Sequence, residues 1–294
     1  MKIYFRELLR EDISAIKEIS KEIWEGEDYI PTVIEKWLEE KDCYNYGGFS
    51  DEKKKDLIGF GRVKFYDEIA WLEGGRVKKP LQRKGVGRQL MGHAIEYAKK
   101  FGARFAQYDT SSENKGSLAL AEFFGFKEKD RMHFLEIIPE NKNIEFSYAN
   151  YNINYRKIGP QEALSAYRKL DDGPKDELNN GWSYIPLNEK YLQNKDFNWY
   201  KSPNAIILFE EKVWKIIEKE DIEELKLVVY GNEKEASQLI KYVISVYPDT
   251  KTFDQISLYC RSNVIESAKK LGFHNPEYQE EPSPEQVILF QKIL

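Results

Sequence analysis

The segment Arg76-Val77-Lys78-Lys79-Pro80-Leu81-Gln82-Arg83-Lys84-Gly85-Val86-Gly87-Arg88 carries six basic residues and no acidic one, in a chain of formal net charge −5. Glycines at the mouth of a helix let backbone N–H groups converge on an anion, and the helix dipole adds to the attraction. Basic side chains supply charge-assisted hydrogen bonds. The spacing rules out two common nucleotide loops. A P-loop needs GxxxxGK[ST], which is absent, and a dinucleotide fingerprint needs a third glycine where Leu90 stands. Just upstream, Glu73 lies four residues before Val77 and shares its face of a strand by the two-residue period. A carboxylate partly buried beside Trp71 would have a raised pKa and take a proton from a nucleophile, directly or through water. The competing role for Glu73 is an ion pair with Arg76 or another cation.

Other chemistry-bearing residues give less. Glu25, Glu27 and Asp28 form an acidic run that suits a cationic partner, or simply a solvated face. Trp24, Tyr29 and Trp37 make either an aromatic wall or helix-face packing. His93, His133 and His274 lack metal-ligand spacing, and no GxSxG elbow is present. Cys43 and Cys260 stand far apart without a CxxC pair, which argues against a disulfide scaffold or a structural zinc site and for a reducing, cytoplasmic setting.

The elements that must position these residues alternate between strand and helix. Strands are expected at Ile3–Leu8, Tyr44–Phe49, Leu57–Phe65, Ile69–Val77, Arg104–Tyr108 and Met132–Ile138. Helices are expected from Ile13, capped by Asp12, to about Trp24, and over Thr32–Glu40, Val86–Phe101 and Ser117–Phe124. Gly102 and Gly125 are the expected helix stops. The basic loop therefore joins a strand to an amphipathic helix. A linker is expected near Pro139–Asn143, its boundary falling within 139–152. Beyond it the pattern restarts. Asn154–Ile158 echoes Tyr4–Leu8, a strand at Leu225–Tyr230 feeds a helix over Glu233–Tyr247, and a strand at Gln255–Tyr259 feeds a helix ending at Leu271-Gly272-Phe273. The agreement in order and spacing predicts a divergent internal duplication, with domains at 1–142 and 150–294.

Gln82-Arg83-Lys84-Gly85-Val86-Gly87 resembles the Gln/Arg-x-x-Gly-x-Gly/Ala signature of the GCN5-related N-acetyltransferases, the GNAT superfamily. Trp71–Val77 resembles that family's central strand, and Thr110–Ser117 continuing to Phe124-Gly125-Phe126 resembles its next strand-to-helix motif. The likeness covers about residues 1–140. It implies a GNAT fold, a mixed central sheet flanked by helices, with a second, degenerate GNAT-like copy behind it. It also implies acetyl-CoA as cosubstrate, held by Val77, Gln82, Arg83, Lys84, Gly85, Val86, Gly87 and Arg88, with Asn114 and Ser117 along its arm. A backbone N–H near Val77 would polarise the thioester carbonyl. Glu73 is then the candidate general base, and Glu27, Asp28 and Tyr29 fall on the acceptor side. The chain departs from the family at Ala121, where many members carry the tyrosine that protonates the departing thiolate. Tyr108, Tyr29 or a water is left for that task. Glu27-Asp28-Tyr29-Ile30-Pro31, Trp37-Leu38 and Glu73-Gly74-Gly75-Arg76-Val77 further resemble the vertebrate histidine N-acetyltransferase group.

The 294 residues exceed one typical domain and suit two compact units. Aromatic residues make up 14%, enough for real cores. No apolar run reaches a membrane span and the start lacks a signal-peptide core, so no membrane partner is expected. The slightly acidic balance argues against nucleic acid. The reading is an acetyltransferase acting by direct transfer on a primary amine, preferably of a small molecule such as an amino acid, with no metal, as a monomer or homodimer. The alternatives are a peptide or protein amine as acceptor, or a non-catalytic acyl-CoA sensor. The second half reads Gly-Asn-Glu-Lys-Glu at 231–235 where the basic loop would fall, and there it is expected to serve as scaffold and pocket rim.

Overall fold

The computed structural model describes residues 1–26, 28–139, 155–193, 197–214, 221–246, 253–276 and 284–294. The first half runs β1 (Tyr4–Glu7), α1 (Ile13–Ser20), α2 (Ile30–Trp37), β2 (Cys43–Phe49), β3 (Leu57–Tyr66), β4 (Ile69–Val77), α3 (Val86–Lys100), β5 (Phe105–Ser111), α4 (Lys115–Phe124) and β6 (Lys127–Ile137). The second runs β7 (Arg156–Ile158), α5 (Pro160–Lys169), β8 (Glu177–Asn179), β9 (Tyr184–Pro186), α6 (Glu189–Leu192), β10 (Asn198–Lys201), β11 (Ala205–Trp214), β12 (Ile222–Gly231), α7 (Glu233–Val246), β13 (Gln255–Cys260), α8 (Ile265–Lys269) and β14 (Gln286–Ile293). This is a mixed α/β fold. Apart from the β8–β9 hairpin and the short α6, the two halves repeat one order of elements, and α2 has no counterpart before α6.

Among the described residues twelve strands form one sheet in the order β1-β2-β3-β4-β5-β14-β6-β13-β12-β11-β10-β7. The last strand of each half crosses to the other. β14 pairs antiparallel with β5 from Val287↔Ser111 to Ile293↔Phe105, while β6 pairs with β13 from Ile256↔Ile137 to Cys260↔His133. β14 and β6 pair with each other at the centre. The chain thus builds a pseudo-twofold sheet in which each half completes the other.

Alternating side chains sort the layers. Ala106, Tyr108, Ile288 and Phe290 pack with α3 and α4, and Leu135, Leu258 and Cys260 with α7 and α8, on one face. Trp71, Met132, Val287 and Leu289 join α5 and the hairpin on the other, where α1 and α2 also lie. Trp71, Glu73, Gln107 and Asp109 share this second face by the strand period.

Several boundaries differ from expectation. The helix from Ile13 stops at Ser20, and Trp24 (φ 45°) and Gly26 (φ 91°) take left-handed conformations that no helix continues through. Asp12 does not cap that helix with its side chain. Its carboxylate accepts the Leu9 N–H at 2.8 Å and two Arg6 bonds at 2.6 and 2.9 Å, closing the tight turn before α1. The second helix starts at Ile30 with Pro31 in its first turn, rather than at Thr32. β5 runs to Ser111 and β6 starts at Lys127 because β14 pairs along both, a remote partner that no local pattern reveals. Most of the expected linker, 140–152, lies outside the described residues.

Candidate active site

The basic loop leaves β4 through a turn at Lys79–Leu81 and enters α3 at Gly85, whose φ of 83° is one that an L side chain resists. A Cβ built on Gly85 meets nothing within 4 Å, and one on Gly87 meets only Leu120 and Val77 at 3.8 Å. The amides of Val86, Gly87 and Arg88 precede Gln89, whose N–H donates to the Gly85 carbonyl at 3.2 Å, so they open outward at the start of a 15-residue helix. Arg83, Lys84 and Arg88 surround them, all exposed. Arg88 lies 3.8 Å over the exposed Phe123 ring. Gln82 is exposed as well, its Nε2 donating back to the Val77 carbonyl at 3.2 Å.

β4 and β5 pair in parallel only over Ile69–Trp71 and Phe105–Gln107. Beyond that register they part. The Lys78 N–H donates to Ile58 of β3 at 3.0 Å, so strand alternation aims the Val77 N–H away from β3, into the opening. A bulge at Gly74–Gly75 inserts a residue into β4, so Val77 packs toward α3 while Glu73 lies on the opposite face beside Arg62, not on the shared face that the two-residue period predicts. Gly74 has φ 67°, and a Cβ there would stand 2.7 Å from the Trp37 ring. Trp37 in turn lies under the Arg62 guanidinium at 4.5 Å.

The opening is acidic on its α1–α2 face. Glu73 Oε1 lies 3.3 Å from Nε of Arg62, whose side chain is 1% exposed. Asp28 is fully engaged: Arg76 Nε and Nη2 donate to its oxygens at 3.0 and 2.9 Å, and the Ile30 N–H donates at 3.2 Å. Arg76 also stacks on Trp24 and Tyr29 at 4.5 and 5.5 Å. Burial pushes the Tyr29 hydroxyl up to about 12, with Arg76 opposing and Glu73, Asp28 and Asp109 adding to the rise. Glu27 lies outside the described residues.

On the α3–α4 face, Asn114 caps α4 by accepting the Ser117 N–H at 3.0 Å. Tyr108 donates its hydroxyl proton to the Ser117 carbonyl at 3.0 Å, and burial raises it to about 12. Ala121 is packed in the core beneath. β14 pins the loop before Asn114: Ser112 N–H donates to Gln286 at 2.8 Å, and Gln286 N–H to Ser112 Oγ at 3.1 Å.

Acetyltransferase (GNAT) family is the description of the family model that matches residues 7–126. Residues 7–126 are a GNAT acetyltransferase domain. The match runs from the last residue of β1 through α4 and stops at Phe126. Two curated relatives are similar over parts of this domain. The uncharacterized N-acetyltransferase YvbK of Bacillus subtilis is 32% identical over 96 residues, 32% of this chain and 59% of that protein. The uncharacterized N-acetyltransferase MJ1207 of Methanocaldococcus jannaschii is 36% identical over 63 residues, 21% of this chain and 28% of that protein. The chain thus spans between about a quarter and three fifths of these relatives. Solved acetyltransferase structures from Pyrococcus horikoshii (TM-score 0.58, 14% identity, 99% of this chain and 89% of that one) and Thermoplasma acidophilum (0.57, 15%, 99% and 100%) share the fold along nearly the whole chain.

The acetyltransferase domain does not enclose its opening alone. The second half's hairpin lies against β5, where the Tyr184 N–H donates to Asp109 Oδ2 at 3.1 Å. Glu177, Gln107, Lys129 and Gln291 form a buried cluster that ties the hairpin to β5, β6 and β14, with bonds of 2.6 to 3.0 Å. Trp182 packs at a tilt against Phe134 and edge-on against Tyr259. Sequence reasoning missed Asp109 because the strand was expected to end at Tyr108. Continuing the Glu73 parity across the parallel pair would have found it.

In the second half, β12 and β13 pair over five residues, Glu224–Val228, and Asn232 alone separates β12 from α7. Asn232 caps α7 through the Glu235 N–H at 2.9 Å, and Glu233 and Glu235 occupy the first turn. A cleft of ≈ 780 Å³ opens there between Glu162, Lys201, Asp172 and Arg261. Four of its charges pair with one another, Lys201 with Glu162 at 2.9 Å and Arg261 with Asp172 at 2.7 Å. Among the described residues no group of three or more His, Cys, Asp or Glu is placed to hold a metal, and no helix is long and apolar enough to cross a membrane. His93 is stacked on Phe5 and bonded to Tyr44, with burial lowering its pKa.

Proposed function

We propose that this protein is an acetyl-CoA-dependent N-acetyltransferase acting on the primary amine of a small molecule such as an amino acid. One observation carries the reading: a strand pair that parts after Trp71 and Gln107, with an α-helix N-terminus and its glycine turn at the mouth. A helix start with open amides suits a diphosphate, and a parted strand pair suits a narrow extended arm. The amides from Val86 to Arg88, with Arg83, Lys84 and Arg88, would hold the diphosphate. Asn114 and Ser117 would flank the arm. When bound, acetyl-CoA supplies an activated acetyl thioester. The Val77 N–H is aimed to polarise its carbonyl, and carboxylates on the opposite face would hold the amine and take its proton.

Support for a small acceptor comes from the acetyl-receiving side. The hairpin, the Tyr29 segment and Arg76 all crowd the same face, and Asp28 is spent on Arg76 rather than offered to a partner. The second half serves here as a wall.

Calorimetry with acetyl-CoA, beside ATP and NAD, followed by a CoA-release assay across an amine panel, tests the reading. Gly87→Glu has room for its Cβ, so it keeps the fold while placing a carboxylate among the amides; acetyl-CoA affinity should fall at least tenfold. Unchanged affinity in a folded variant would refute the diphosphate site.

A further inference from the structure

Two carboxylates, rather than one, face each other where β4 and β5 part. The register Trp71↔Gln107, carried two residues along each strand, brings Glu73 opposite Asp109 on the hairpin face. They are held differently. Glu73 Oε1 lies 3.3 Å from Nε of the buried Arg62 guanidinium. Asp109 is held by a neutral donor, the Tyr184 peptide. Burial first, then the facing Glu73 charge, pushes Asp109 up to about 7, against the pull of Ser183 and the Tyr184 peptide. Tyr29, from the segment before α2, feels the same carboxylate, and its hydroxyl stays protonated throughout the neutral range. Asp28 and Arg76 behind it form a closed pair.

We propose that Asp109 is the group that accepts the proton of the attacking amine, and that the second half positions it through the Tyr184 peptide. This rests on the acetyltransferase reading above. In the step, the neutral amine nitrogen bonds to the thioester carbonyl carbon and the C–S bond breaks. The surplus N–H proton passes to Asp109, and the released thiolate recovers a proton from Asp109 or solvent, so charge and atoms balance. Asp109 then takes the place of the acid that Ala121 cannot supply. The facing Glu73 carboxylate raises the basicity of Asp109.

The test uses the full chain, with acetyl-CoA calorimetry beside CoA release measured from pH 5 to 9 over the amine panel. Asp109→Asn should leave acetyl-CoA affinity within twofold and lower kcat at least about 100-fold. It should also erase the limb of the profile near pH 7. Turnover by Asp109→Asn within threefold of the parent, with the limb intact, overturns the proposal, and loss of the limb in Glu73→Gln alone would hand the role to Glu73. If no amine in the panel reacts, carboxyl-carbon NMR of the acetyl-CoA complex decides. A resonance missing in Asp109→Asn should titrate near 7 and drop in Glu73→Gln, whereas a midpoint below about 5 overturns the proposal. Failure of the parent chain to bind acetyl-CoA at all overturns the acetyltransferase reading instead.

Discussion

Leu289→Ala should destabilise the acetyltransferase domain although the residue lies at the far end of the chain. Leu289 is 0% exposed in β14, paired with Asp109 on β5 and Asp130 on β6, and it packs with Trp71, Met132 and Tyr184. Truncating a fully buried leucine costs about 2–5 kcal/mol, the lost transfer energy plus the cavity left behind. At roughly 2 °C per kcal/mol for a cooperative unit of this size, Tm falls by about 4–10 °C. Because β14 completes the first half's sheet, the single transition stabilised by acetyl-CoA should carry the whole shift. Differential scanning calorimetry with and without acetyl-CoA measures it. Two separate transitions, with the ligand-sensitive one unmoved by the substitution, would show that residues 1–142 fold and bind without β14 and would refute the reasoning.

Other consequences follow from single contacts. Asp28→Asn breaks a nearly buried bidentate pair with Arg76 and should cost about 3–5 kcal/mol in urea unfolding; a loss under about 1 kcal/mol would mean that the pair does not organise the Tyr29 segment. Phe123→Ala frees Arg88 from its ring and should weaken CoA binding about two- to fivefold, the worth of an exposed cation–π contact, with calorimetry as the check. Asp109 titrates near 7 folded and near about 3.9 unfolded, so the folded chain binds the extra proton between these values. Its stabilising contribution is whole below about pH 4 and is lost as pH rises through 7. Asp109→Asn should therefore gain stability over the parent between pH 4 and pH 8, and an unchanged difference in urea midpoints would contradict the raised carboxyl.

Short-range rules made much of the domain legible from residues alone. β4 was expected at Ile69–Val77 and lies there, and α3 starts at Val86 as its apolar period and the preceding glycine require. Gly125 ends α4 in a left-handed conformation, as a glycine after an amphipathic run does. In the second half β12, α7 and β13 were readable for the same reason, whereas α5, the hairpin, β10, β11 and β14 were not assigned from the sequence.

Tertiary structure alone decided the rest. β14 carries the same local signature whether it pairs within its own half or between β5 and β6, so its crossing, and with it the extra length of β5 that carries Asp109, left no trace in the sequence. Likewise, Asp28 read as an offered carboxylate until Arg76, 48 residues away, was found to claim both its oxygens. Local backbone preference and periodicity are written in neighbouring residues, whereas strand partnership and charge pairing depend on which distant surfaces meet once the sheet has closed.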